Sequence, residues 1–284
     1  MTRFSFAAIL TAALTFSGPV FGVGGESPDD TAGPASTLDL AFDLYVGGIP
    51  LGKVAMSARF QGSDYKAIST LETKGIVNAF WQAKIETSSS GLASPGKVQP
   101  SLYDSFSQNR SPERRHATLT FGPDGPKSVV ADPPYGDNRY AVSEEQRKRT
   151  LDPLSAAVYL TSLPVSQGKP CEVVAPVFDG RRRYNLVFNY VKKADIHMDN
   201  GLYSGPALVC EIHYKEIAGY PQSVIDGKNK FPKMFAWVVQ AKSGSDPSKS
   251  YMVPVRVWAE TEYGIVAAVA SQAKLDGLPL AHTS

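Results

Sequence analysis

The chain has 284 residues, of which 43% are hydrophobic and 20% are charged, so it carries enough apolar material for a sizeable core. Its formal net charge of +2 excludes the strong positive field that nucleic-acid binding proteins present. We therefore expect a globular protein with no nucleic-acid partner.

The N-terminus has the pattern of a secretory signal peptide over residues 1–22. A basic start at Arg3 precedes an uncharged apolar run over residues 4–16, and small residues surround Gly22. The run is too short to span a bilayer, and no second apolar run follows it to stop transfer. We predict cleavage near Gly22, export to the periplasm and no membrane span in the mature chain. Residues 23–36, rich in Gly, Pro, Asp and Ser, predict a disordered leader.

From residue 37 onward, apolar and polar residues alternate with the period of a β-strand. Turns rich in Gly, Pro, Asp and Asn separate the alternating segments, and Asp179-Gly180 is the sharpest hairpin signal. The predicted strands cover residues 38–46, 51–60, 65–74, 83–92, 101–108, 116–121, 127–131, 171–178, 181–191, 207–215, 234–242, 251–260 and 264–274. A sheet of this many strands tends to curl, because each pair of strands adds twist.

Two segments break the strand pattern and predict short apolar helices. Residues 75–82 place Ile76, Val77, Phe80 and Trp81 on one helical face. Residues 152–163 begin with Asp152 as N-cap and Pro153 in the first helical position. We expect both helices to cover one end of the concave face of the sheet. Residues 132–149 are polar and predict a long excursion or a small lid.

No internal repeat or composition shift marks a domain boundary between residues 37 and 275. We therefore predict one all-β, mainly antiparallel domain over residues 37–275. Its single large curved sheet would form an open barrel, a half-barrel or a β-spiral, with two short helices. Residues 276–284 predict a flexible tail.

Cys171 and Cys210 are the only cysteines, and both lie in the part of the chain that we predict to be exported. An oxidising compartment would join them into a disulfide on either side of the Asp179-Gly180 hairpin. Reactive thiol pairs favour a Cys-x-x-Cys spacing, which is absent here. The pair therefore indicates a structural disulfide rather than a redox centre.

The sequence carries no motif that predicts catalysis. No histidine has a metal-ligand spacing, no Gly-x-Ser-x-Gly segment provides a serine nucleophile, and no glycine-rich loop follows a strand to hold phosphate. We expect no catalytic residue, no metal and no cofactor, and hence a protein that is not an enzyme.

Two groups of side chains are candidates for ligand contacts. Phe80, Trp81, Trp237 and Trp258 are the candidates for a hydrophobic ligand pocket, and the alternative is that they fill the core. Arg181-Arg182, just after the Asp179-Gly180 turn, is the candidate for an anion contact. The alternative for these arginines is that they blunt an exposed strand end.

The chain resembles a proteobacterial family of exported proteins known as domain of unknown function 3108. Four segments carry the resemblance: residues 45–52 (YVGGIPLG), 70–81 (TLETKGIVNAFW), 151–156 (LDPLSA) and 178–182 (FDGRR). The resemblance implies a periplasmic, mainly β protein and implies no activity.

Two functions from different classes fit these predictions. The first is a non-enzymatic envelope protein whose concave sheet binds a lipid, an acylated envelope component or another hydrophobic ligand in support of envelope integrity. The second is a scaffold that binds another envelope protein through its outer surface. A third function, a hydrolase, would need a polar pocket that holds a histidine with an acidic or serine partner.

Overall fold

The computed structural model describes residues 35–74, 82–109, 114–135, 140–164, 170–226 and 231–280. The predicted signal peptide and residues 75–81, which contain Phe80 and Trp81, lie outside the described residues. None of the helices in the described ranges combines the length and the hydrophobicity that a bilayer crossing requires.

The described chain is a mainly antiparallel β structure with three short helices. The strands are β1 (Ala35–Val46), β2 (Ile49–Gln61), β3 (Asp64–Thr73), β4 (Ala83–Ser94), β5 (Lys97–Asn109), β6 (Arg114–Gly122), β7 (Gly125–Asp132), β8 (Val173–Phe178), β9 (Arg183–His197), β10 (Ser204–Ala218), β11 (Met234–Lys242), β12 (Ser250–Thr261), β13 (Gly264–Leu275) and β14 (Leu278–Pro279). The helices are α1 (Glu144–Arg147), α2 (Pro153–Thr161) and α3 (Gln222–Ile225).

All these strands belong to one 14-stranded sheet with the order β7-β6-β5-β4-β3-β2-β1-β13-β12-β11-β10-β9-β8, and β14 pairs with β13. The sheet does not close, since β7 and β8 are its two edges. Helix α2 contacts the adjacent strands β3, β4 and β5 in one half of this order and β8 and β12 in the other half. The sheet therefore curls around α2, and the predicted all-β open architecture is confirmed.

Among the described strands, one connection leads from one edge of the sheet to the other. Strands β1 to β7 run outward from the centre in successive antiparallel pairs. The segment that contains α1 and α2 then leads to the opposite edge, and β8 to β13 return to pair with β1 from Leu38↔Leu275 to Val46↔Val266. Because β1 and β13 join the two halves at the centre, both halves share one concave face.

The predicted disulfide is present. Cys171 is bonded to Cys210 with a Cα–Cα distance of 6.3 Å and a sequence separation of 39 residues. Cys210 lies in β10, and Cys171 lies just before the edge strand β8, with β9 between the two strands. The bond therefore fastens the edge of the sheet to its third strand. Both cysteines are buried.

The structure differs from the sequence prediction at four places. The predicted leader over residues 23–36 ends too late, because β1 begins at Ala35 and Ser36 is buried, and the rest of that leader lies outside the described residues. The excursion over residues 132–149 contains the one-turn helix α1, and α3 is a second one-turn helix that was not predicted. The predicted tail begins too early, because β14 pairs with β13 and Leu280 is buried. The Asp276 carboxylate also accepts hydrogen bonds from Thr37 N at 2.9 Å and Ser243 Oγ at 2.6 Å, so residue 276 is held to the start of β1.

Replacing both cysteines (Cys171→Ala with Cys210→Ala) should lower the free energy of unfolding by about 4 kcal/mol on the loop-entropy scale for this separation. Urea unfolding followed by circular dichroism measures this change.

In the unchanged protein, alkylation followed by mass spectrometry should label both thiols only after reduction and denaturation. Labelling of the folded protein without reductant would contradict the assignment of a closed, buried bond.

Candidate functional site

The concave side of the sheet forms a partly open cavity of about 420 Å³ next to α2. This volume lies in the range of about 300–1,000 Å³ that is typical of small-molecule sites. The side chains around it come from both halves of the sheet and from α2, and nearly all of them are apolar. They are Leu40, Phe42, Val54, Met56, Ser69, Thr87, Tyr103, Pro153, Leu154, Ala157, Leu160, Thr161, Leu163, Cys171, Val173, Phe188, Cys210, Ile212, Ala236, Val238, Met252, Pro254, Val257 and Ala268.

The strand alternation explains why the wall of this cavity is apolar. In β1, Leu38, Leu40 and Phe42 are buried, whereas Asp39 and Asp43 on the opposite face are only half-buried. The same alternation brings Ala236 and Val238 of β11 to the concave face. The wall is therefore built from every second residue of a strand, namely the residues whose side chains point to the concave face.

Helix α2 forms one side of the cavity. Leu154, Ala157 and Leu160 line the cavity, while Ala156 and Val158 are fully buried on other faces of the helix. Most residues of the helix are apolar, and the hydroxyl groups of Ser155 and Thr161 are hydrogen-bonded within the protein, so no face of the helix is suited to water. Its place inside the curled sheet follows from this composition.

The carboxylate of Asp152 caps α2 and is itself fully buried. Its Oδ1 accepts hydrogen bonds from Leu154 N at 3.0 Å and from Ser155 N at 2.8 Å. Its Oδ2 accepts from the hydroxyl of Ser155 and from Ser89 Oγ, the latter at 3.1 Å. The cap thus uses both oxygens and reaches from the helix to β4.

The hydroxyl of Ser155 extends this network to β3. It lies 2.6 Å from Tyr65 Oη and 2.8 Å from Ser89 Oγ. Because the Ser155 proton is donated to Asp152, the Tyr65 hydroxyl must donate to Ser155. The buried polar network of Asp152, Ser155, Ser89 and Tyr65 therefore fixes the first turn of α2 against two neighbouring strands.

Burial changes the titration of this network. It raises the pKa of Asp152 to about 6, although the hydrogen bonds from Ser155, Ser89 and Leu154 act in the opposite direction. Burial and the nearby charge of Asp152 raise the pKa of Tyr65 to about 12. Both pKa shifts indicate that water is excluded from the network. The hydrogen bonds offset only part of the desolvation of the charged groups.

The buried polar network does not face the cavity. Asp152 and Ser155 are fully buried and are absent from the cavity wall. His116 and His213 are hydrogen-bonded or ion-paired elsewhere, to Asp104 and Glu211. Within the described ranges, no group of three or more His, Cys, Asp or Glu side chains is placed to hold a metal ion. The chemistry that the cavity wall offers is apolar contact.

The aromatic residues predicted for a pocket do not line this cavity where the structure describes them. Trp237 lies on the face of β11 opposite to Ala236 and Val238, and Trp258 packs at 5.5 Å from Trp237, centroid to centroid. The sequence could not assign these tryptophans to a face of the sheet, because ring size does not tell which face of a strand is concave. Phe80 and Trp81 lie outside the described residues.

The two arginines predicted for an anion contact lie near aromatic rings at an exposed turn. The guanidinium carbon of Arg181 is 5.8 Å from the centroid of the Tyr135 ring, and that of Arg182 is 5.5 Å from the Tyr220 ring. Their backbone N–H groups donate to Asp179 Oδ1. The structure does not bring either arginine to the apolar cavity.

Comparison with known proteins gives a family but no activity. A family model described as "Protein of unknown function (DUF3108)" matches residues 41–271. No curated protein matches the chain. Among solved structures, the crystal structure of a β-barrel-like protein of domain of unknown function DUF1849 from Brucella abortus is similar, with 9% sequence identity and a TM-score of 0.47. The match covers 86% of this chain and 98% of that chain.

Asp152→Asn should change how the stability of the protein depends on pH. The carboxyl titrates near 6 in the folded chain and near 3.8 when free, so the folded state binds the proton more tightly than the unfolded state. The free energy of unfolding of the unchanged protein should therefore fall as pH rises from about 4 to 7, by at most about 3 kcal/mol from this group. The asparagine variant should lack this part of the slope. Urea unfolding at a series of pH values measures it.

Asp152→Ala is the matched control, because it removes the cap together with the charge. It should lower the free energy of unfolding by about 2–4 kcal/mol near pH 4, since the helix loses its cap and buried hydroxyl groups lose an acceptor. It should also lack the part of the pH slope that comes from Asp152, so its deficit relative to the unchanged protein should shrink as pH rises. Parallel pH curves for the unchanged protein and Asp152→Asn would contradict the titration assigned to this carboxyl.

Proposed function

The chain belongs to the DUF3108 family of proteins of unknown function, and from this premise and the apolar cavity we propose a non-enzymatic role in the bacterial envelope. In this proposal the periplasmic protein holds a lipid or another hydrophobic ligand inside its curved sheet and thereby supports envelope integrity. The observation that carries the proposal is the lining of the 420 Å³ cavity.

The composition of the cavity wall favours an uncharged, apolar ligand moiety. No charged side chain of the described residues lines the cavity, and its polar atoms come from Ser69, Thr87, Tyr103, Thr161 and the backbone. Moving an unpaired charge into such surroundings is strongly unfavourable. Apolar surface, in contrast, gains about 25 cal/mol for each Å² removed from water. An acyl chain or a comparable hydrocarbon moiety fits this environment.

The same wall supports a binding role rather than catalysis. Its hydroxyl groups come from Ser69, Thr87, Tyr103 and Thr161, and no histidine or carboxylate of the described residues shares the wall with them. A hydroxyl group needs an adjacent base to act as a nucleophile. The buried pair of Asp152 and Ser155 has its hydrogen bonds committed to the helix cap and to β3 and β4.

Two features support an exported location. The disulfide between Cys171 and Cys210 is typical of oxidising compartments, since cytosolic thiols are kept reduced. The N-terminal sequence has a basic start and an uncharged apolar run, as secretory signals do. In a Gram-negative cell these features together fit the periplasm.

A second candidate function is a scaffold that binds another envelope protein by strand addition. In the described residues, the edge strand β7 has one side without a neighbouring strand in the sheet. On the outer side of the other edge strand, β8, Leu151 is hydrogen-bonded to Pro176 O and Phe178 N, which leaves the start of β8 for strand addition. Val130 of β7 and Val174 of β8 are exposed, as β-branched residues at a strand-addition site would be. In this alternative the protein needs no small-molecule ligand.

Filling the cavity should separate the two functions. Ala157→Phe places a larger side chain in the cavity wall, whereas Ala55→Phe, at an exposed position of β2, is the matched control. Native mass spectrometry and lipid extraction of the full chain, purified from the periplasm of a Gram-negative host, should detect a bound lipid. Its occupancy should fall at least about fivefold in Ala157→Phe, because overpacking is costly, and should stay unchanged in Ala55→Phe.

Absence of any extractable ligand from the folded protein, or equal occupancy in both variants, would contradict lipid binding. The scaffold would gain support if crosslinks to a partner protein persisted in Ala157→Phe and disappeared in Val130→Pro. Proline donates no backbone hydrogen bond, and on edge strands it protects a sheet against the addition of another strand. Cytoplasmic recovery of the chain with free thiols would contradict the exported location.

A further inference from the structure

A second cavity, also of about 420 Å³, lies on the opposite face of the sheet, and we name it the outer pocket. The tip of the β9–β10 hairpin contributes Asp199 and Asn200 to it. The outward-facing residues of β1, β11 and β12 contribute Asp43, Tyr45, Trp237 and Arg256. In contrast to the apolar cavity, its wall contains charged groups of both signs.

Strand register places the central residues of the outer pocket in one row. Asp43 of β1 is paired with Val269 of β13, Val269 with Arg256 of β12, and Arg256 with Trp237 of β11. Neighbouring strands are about 4.8 Å apart, so Arg256 and Asp43 are separated by about 10 Å along this row. A small molecule is long enough to contact both Arg256 and Asp43.

Arg256 is held by aromatic rings rather than by a carboxylate. Its guanidinium carbon lies 5.0 Å from the centroid of the Trp237 ring and 5.4 Å from that of Trp258. Cation–π contacts leave the in-plane N–H groups of the guanidinium free to donate. Its buried Nε has no hydrogen-bond partner, and no ion pair of Arg256 occurs among the described residues.

An unpaired donor of this kind is unusual, because buried polar groups in folded proteins nearly always have partners. A planar guanidinium matches the two oxygens of a carboxylate or a phosphate. The two tryptophans fix the orientation of the Arg256 side chain in advance, which reduces the entropy lost on binding. The geometry of Arg256 therefore suits an oxyanion.

The other end of the outer pocket has acceptors. Asp43 is paired with Lys53 at 3.0 Å, whereas no ion pair of Asp199 is found in the described part of the chain. Asn200 Nδ2 donates to Ala270 O at 2.7 Å, which ties the hairpin tip to β13. Carboxylates at this end disfavour a bare anion and favour a ligand that also carries amino or hydroxyl groups.

We propose that the outer pocket binds a small polar ligand whose carboxylate or phosphate is held by Arg256 and whose amino or hydroxyl groups face Asp43 and Asp199. This site is separate from the apolar cavity, from which it is divided by the sheet itself. Binding here does not depend on whether the apolar cavity holds a lipid.

Calorimetric titration of the full chain tests this proposal with four probes: acetate, glycine, inorganic phosphate and phosphoethanolamine. At least one of the two probes that carry an ammonium group should bind with a dissociation constant of about 1 mM or lower, more tightly than its counterpart without the ammonium group. The comparison of glycine with phosphoethanolamine shows which oxyanion is preferred. Intrinsic fluorescence is a second readout, because Trp237 and Trp258 are two of the three tryptophans of the chain.

Arg256→Gln should weaken the binding of the preferred probe at least about tenfold, because a charge-assisted pair of hydrogen bonds is lost. Arg256→Lys keeps the charge without the planar donor pair and should give an intermediate loss. Arg59→Gln, at an exposed position of β2, is the matched control and should bind as the unchanged protein does.

Circular dichroism checks that each variant is folded, and sodium chloride at matched ionic strength controls for screening. Failure of both glycine and phosphoethanolamine to bind the folded, unchanged protein at about 10 mM would overturn the proposal, as would binding of both no tighter than that of acetate and phosphate. Undiminished binding in Arg256→Gln would also overturn it. If that variant does not fold, equal binding by Arg256→Lys and the unchanged protein is the overturning result.

Discussion

The hydrogen bonds accepted by the buried Asp152 carboxylate determine where the interior helix lies, and the rest of the fold depends on that position. Helix α2 belongs to the connection that leads from one edge of the sheet to the other, and most of its residues are apolar. Apolar packing is not directional, so it does not by itself fix the rotation or the depth of such a helix. The contacts of Asp152 with Ser155 and Ser89 supply that direction. The raised pKa of Asp152 shows that this specificity has a cost in free energy.

The cavity follows from a helix that is smaller than the space inside the sheet. A nine-residue helix is only about 14 Å long, and the residues that face it across the gap include Ala236 and Ala268. The wall of this space is apolar, and apolar surface is more stable when it is removed from water. A ligand that fills the space would cover that wall, which is a thermodynamic argument for the proposed binding role.

The sequence was sufficient to predict those features of the fold that depend on residues close together in the chain. Each of β1 to β13 has a counterpart among the predicted alternating segments, and Asp152 was predicted as the cap of α2. The one-turn helices α1 and α3 were missed because four residues are too few to show a helical period. The contacts of Asp152 with Ser89 and of Ser155 with Tyr65 join residues 63 and 90 positions apart, which no local pattern encodes. For the same reason the sequence could not assign Trp237 to the outer face.

Strand β12 shows how one extra residue separates the two chemistries of the sheet. Met252 and Pro254 line the apolar cavity, and strict alternation would place Arg256 on the same face. A bulge interrupts the pairing here, since Trp237 is opposite Arg256 while the next residue of β11 is opposite Pro254, which leaves Val255 unpaired. Proline is tolerated at such a bulge because a ladder hydrogen bond is already lost. After the bulge Val257 faces the cavity and Arg256 faces the outer pocket, so the irregularity keeps a guanidinium charge out of an apolar cavity and presents it on the other side of the sheet.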